Sequence, residues 1–85
     1  MSTVEVEHVE YIKDREQHLA IVYLLDGELI RGMKLKEEGC QGEWELDTLG
    51  LASADPLHID HRRLILILKE IAPGGKLVSG QRLVG

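Results

Sequence analysis

Apolar and polar positions alternate with a period of two through most of this chain, the spacing of half-buried β-strands. From Thr3 to Ile12, Val4 and Val6 stand against Glu5 and Glu7, which predicts a strand over 3–12. A helix is the competing pattern from Val9 onward, because Val9, Ile12, Glu16 and Leu19/Ala20 recur near helical spacing. The polar run Lys13 to Gln17 predicts a connection. Beyond it, Leu19, Ile21 and Tyr23 alternate with Ala20, Val22 and Leu24 up to Asp26-Gly27, and Leu29, Ile30, Met33 and Leu35 follow among Glu28, Arg31, Lys34 and Lys36. Two β-rich runs joined at Asp-Gly predict a tight hairpin, since both central residues of a primed turn need positive φ.

Glu37 to Gly42 holds two glycines in six residues and predicts a turn. Glu43 to Leu49 places Trp44, Leu46 and Thr48 on one face and Glu43, Glu45 and Asp47 on the other, a half-buried strand. Residues 50–56 read as a loop of small residues. Leu57 to Ile71 suits a helix, with Asp55 as N-cap, Pro56 in the first position and Gly74 as terminator. The unbroken Leu64 to Leu68 run also suits a strand buried on both faces, and the β-branched content favours the strand. Ala72 to Lys76 breaks the pattern, and Leu77 to Val84 predicts a last strand or small hairpin around Ser79-Gly80. Five or six short strands with glycine-rich turns predict an all-β fold, a single small barrel domain over 1–85 in which closure hides the strand edges, with one short helix as the variant.

Composition narrows this picture. The chain has 85 residues, 44% hydrophobic and 29% charged, enough for one modest core. That core is aliphatic, because there is no Phe and the aromatics are Tyr11, Tyr23 and Trp44. So small a chain without a disulfide gains stability by self-association, and a homo-oligomer is expected. Cys40 is the single cysteine, which excludes an internal disulfide and a cysteine zinc site and fits a reducing compartment. No apolar run reaches the roughly 20 residues of a membrane span, and no basic flank precedes an apolar core at the N-terminus, so a cytoplasmic chain without a membrane role is expected. The net charge of −5 is uneven: residues 1–56 carry −8 and residues 57–85 carry +3.

The stretch Val22-x-Leu24-x-Asp26-Gly27-x-x-Ile30-x-Gly32 is similar to the first motif of Sm-like proteins, the family that includes Hfq. There, apolar residues lead into an Asp/Asn-Gly turn and a second glycine follows five residues later, inside a strand that it allows to bend. The resemblance implies a strongly bent SH3-like or Sm-like barrel, a ring-forming homo-oligomer, and single-stranded RNA bound around the ring's pore. Ile59-Asp60-His61 lies where Hfq-like members carry Tyr-Lys-His, and only His61 matches. Glu37-Glu38-Gly39-Cys40 stands where the motif's acidic and Asn residues belong, and the Arg-Gly of the second Sm motif is missing.

Candidate chemistry is sparse. His58-x-x-His61, with Asp55 and Asp60 nearby, has metal-ligand character but lacks the third ligand zinc needs, so no metal is assigned. Cys40 has no base near it in sequence and Gly74-Gly75-Lys76 lacks the frame of a phosphate loop, so neither catalysis nor a cofactor is expected. Two functions remain. The first is weak binding of single-stranded RNA by a non-catalytic oligomeric barrel, with His61, Arg62, Arg63 and Lys36 neutralising phosphates. Against it, Arg62-Arg63 could instead pair with Glu5, Glu7 and Glu10, and Tyr23 and Trp44 could fill the core rather than stack on bases. The second is an acidic interaction module, or a mimic of nucleic acid, that presents Glu37, Glu38, Glu43, Glu45 and Asp47 to a basic partner protein.

Overall fold

A computed structural model of the chain describes residues 1–14, 16–37, 39–52 and 61–85. Its strands are β1 (Thr3–Ile12), β2 (Gln17–Asp26), β3 (Lys34–Glu37), β4 (Glu43–Leu51), β5 (Arg63–Ala72) and β6 (Arg82–Val84). They close into an antiparallel barrel in the order β1-β2-β5-β4-β3-β6, and no helix interrupts it among the described residues. The all-β barrel expected from the alternation is the fold observed.

Alternation puts Val4 and Val6 of β1, Ala20 and Val22 of β2, Leu35 of β3, Trp44 and Leu46 of β4, Leu64, Leu66 and Leu68 of β5 and Leu83 of β6 inside the barrel. Leu77, outside any strand, plugs the same core. Two register shifts explain where the period of two fails. One, between Val6 and His8, brings Val9 rather than His8 to the core side and produces the helix-like spacing seen there. The other, between Leu46 and Thr48, turns Thr48 outward and packs Leu49 against the core, which corrects the expected inward Thr48.

The Asp26-Gly27 hairpin is not formed. β2 pairs with β1 and β5, whereas β3 pairs with β4 and β6. Asp-Gly instead turns the chain out of β2: Gly27 has φ 76°, and its N–H donates to Asp26 Oδ1 at 3.0 Å. Ser2 anchors this exit, its Oγ donating to the Glu28 carbonyl and accepting from the Glu28 N–H. Gly32 does not bend a strand either; it has φ 93° in the turn before β3 and donates to the Leu46 carbonyl at 2.7 Å. The consecutive strands that do pair are β1 with β2, β3 with β4 and β4 with β5. Residues 57–60 of the ambiguous segment lie outside the described residues, and its remainder forms a turn at 61–62 and then β5. Only Arg82 to Val84 of the last predicted strand is paired.

Candidate functional site

The basic residues singled out for RNA do not form one patch. His61 and Arg62 are exposed in the turn before β5, and Arg63 opens that strand. Lys36 is on β3, whose Leu35 pairs with Trp44, which in turn pairs with Glu70 near the far end of β5. Arg63 and Glu70 are seven strand residues apart, roughly 20 Å at about 3.3 Å per residue. Arg63 donates from Nε to Glu7 Oε2 at 3.0 Å. Since β2 separates β1 from β5, this pair passes over the outer face of β2.

The acidic candidates are also partly engaged. Glu37 accepts from the buried Gln81 amide, which also donates to the Lys76 carbonyl and accepts from the Val78 N–H. Glu45 stands between Lys34 and Lys69 on the neighbouring strands. Asp47 accepts from Thr48 and, at 3.4 Å, from Gln17. Glu43 begins β4, half-buried. Glu38 lies outside the described residues, as do Asp55, His58 and Asp60, so His58-x-x-His61 is represented by exposed His61 alone. Among the described residues no group of His, Cys, Asp and Glu could hold a metal ion. Trp44 is a core side chain, 1% exposed, and Cys40 is an exposed free thiol.

What the charges leave open is an apolar outer face. On β2 the residues alternating with the buried Ala20 and Val22 are Leu19, Ile21 and Tyr23; on β5 those between Leu64, Leu66 and Leu68 are Ile65 and Ile67. All five are half-buried, and none packs against the core. The two strands are neighbours in register, Leu19 opposite Ile67, Ile21 opposite Ile65 and Tyr23 opposite Arg63, so the side chains form one continuous patch. Gly50 of β4 lies opposite Ile65 and adds no side chain beside it.

Carboxylates border this patch on both sides. On β1, Glu5 is opposite Tyr23 and Glu10 opposite Leu19. On β4, Asp47 precedes Thr48, the partner of Ile67, and Glu45 lies opposite Lys69. The unbroken Leu64 to Leu68 run suits a strand buried on both faces and Tyr23 suits core filling, whereas Ile65, Ile67 and Tyr23 lie half-buried on the outer side. The signal for the site was the absence of a polar outer row on these two strands. Comparisons with protein families, curated proteins and solved structures find nothing that matches this chain.

Proposed function

We propose that the chain is a non-catalytic interaction module that docks on a partner protein through the outer face of β2 and β5. The observation that carries this is the Leu19, Ile21, Tyr23, Ile65, Ile67 patch on strands whose inner faces are already filled. A half-buried outer row is normally polar in an antiparallel sheet, and a contiguous apolar patch with a polar rim marks a contact surface.

The rim selects the kind of partner. Glu5, Glu7 and Glu10 flank the patch on β1, and on β4 Asp47 flanks it with Glu45 one outer position further on, opposite Lys69. Laying this face on a second copy with aligned strands sets β1 carboxylates against β1 or β4 carboxylates, whichever two-fold axis is used. A partner with an apolar centre and a Lys/Arg rim meets the same face without that repulsion and gains electrostatic steering. Polyanionic RNA meets the carboxylates first, and the Arg63 guanidinium is already held by Glu7.

Binding to a protein captured by the wild-type chain should weaken roughly tenfold or more with Ile65→Asp, since truncating a central contact costs about 1–2 kcal/mol and adds a desolvated charge. Reversal of Glu10 and Glu45 to Lys should weaken capture at low salt and have less effect at high salt. Capture indifferent to both changes contradicts the proposal. A sedimentation mass raised by a short uridine-rich RNA and restored by Arg62→Ala with Arg63→Ala would transfer the function to RNA. An oligomer dissociated by Ile65→Asp would transfer the face to a second copy.

A further inference from the structure

A second surface lies at the end of the barrel where β1 outruns its partner. β6 pairs only with Thr3 to Glu5 of β1, and the loop before it adds bonds to Val6 and to the Glu7 carbonyl. Among the described residues, β1 from His8 to Ile12 pairs with β2 on one side alone. On the β6 side the bonded residues are Ser2 and Val6, so backbone groups alternate between neighbours. The register shift at Glu7 moves this alternation by one, leaving the N–H and C=O groups of Val9 and Tyr11 on the side without a strand. Such a row is a template for one more strand.

A cleft of about 630 Å³ opens along this edge, and Val9, Tyr11, His18, Trp44, Glu70 and Leu77 are among its walls. Three buried side-chain polar atoms lack a hydrogen-bond partner among the described residues, and two of them, Trp44 Nε1 and His18 Nδ1, belong to residues lining this cleft. Trp44 is 1% exposed, and a buried donor without an acceptor is rare and destabilising. The Tyr11 and His18 rings, 5.1 Å apart and inclined at 54°, frame the opening.

We infer that an extended peptide segment of a partner protein adds to the Val9–Tyr11 edge of β1 and seats an apolar side chain in this cleft. An extended peptide supplies the donors and acceptors in alternation that the edge lacks. The walls Val9, Leu77 and Trp44 fit an aliphatic side chain. Glu10 on the edge and Glu70 in the wall outnumber the single wall cation, Lys76, and so favour lysine at the flanking positions. This surface is distinct from the outer face of β2 and β5, and the inference does not depend on that face being used.

The probe is the capped pentapeptide acetyl-Lys-Val-Thr-Val-Lys-amide, compared with its copy N-methylated at alternate peptide nitrogens, which cannot pair along that edge. Because Trp44 is the single tryptophan, its indole N–H gives one resolved cross-peak in a proton–nitrogen spectrum. The expected result is a saturable shift at millimolar peptide of the Val9 and Tyr11 amides together with the Trp44 indole, at least tenfold weaker for the methylated copy. No shift overturns the inference, as does an equal response to both peptides. A shift of the indole with stationary Val9 and Tyr11 amides also overturns it, since that describes a small-molecule pocket rather than strand addition.

Discussion

Gly42 and Gly75 show how tightly single residues constrain this barrel. A β-carbon on Gly42 would overlap the Gly75 backbone, and one on Gly75 would stand 2.7 Å from Trp44 Cη2 and 2.9 Å from Gly42 Cα. The two glycines let the turn before β4 cross the loop after β5 directly over the edge of the one buried indole. Gly42→Ala should therefore lower stability by about 1–3 kcal/mol, the usual effect of overpacking, and lower Tm by several degrees in a thermal melt. Gly50→Ala has open space around its β-carbon and should leave the melt close to wild type. The composition showed that these segments were turns. It could not show that Gly42 and Gly75 meet, because 33 positions of chain separate them and only barrel closure joins them.

Among the elements, β2 and β5 differ from the rest in being apolar on both faces. The inner face carries stability, and the outer face, crossed on β2 by the Arg63–Glu7 pair, is the one proposed for recognition. Leu66→Ala should cost about 2–5 kcal/mol, as deletion of a fully buried leucine does. Ile65→Thr keeps a β-branched residue on an outward position and should change stability by no more than about 0.5 kcal/mol in a denaturant titration. Equal losses at the two positions would place Ile65 in the core and remove the candidate site. The strands at 3–12 and 43–49 were legible because each alternates locally, whereas 57–71 also suited a helix and only its unbroken Leu64 to Leu68 run favoured the strand. The pairing of β2 was not legible. Asp-Gly favours positive φ equally in a hairpin and where a strand simply ends, and the choice depends on β1, β5 and the Ser2 anchor, which are distant in sequence or lack a pattern of their own. The bulges in β1 and β4 escaped for a similar reason, since an extra residue is recognised only against its partner strand.

At the level of the whole molecule, the charge asymmetry along the chain does not become two opposed faces. Glu7 pairs with Arg63, Glu5 lies 3.9 Å from Arg82, and Glu45 sits between two lysines, so the barrel interleaves its acidic and basic segments. Such exposed pairs contribute little to stability. Their consequence is that net charge identifies no binding surface by itself, and the apolar row on β2 and β5 is the surface proposed instead. The central claim is that this row contacts another protein, and the most direct measurement is photocrosslinking in cells from a reactive residue at position 65, with position 34 on the polar outer face of β3 as reference. The expected result is one discrete adduct from position 65, absent from position 34, whose added mass belongs to a protein with a Lys/Arg-rich surface. An adduct of twice the chain's 9.5 kDa, an adduct to RNA, or equal labelling from both positions would contradict it.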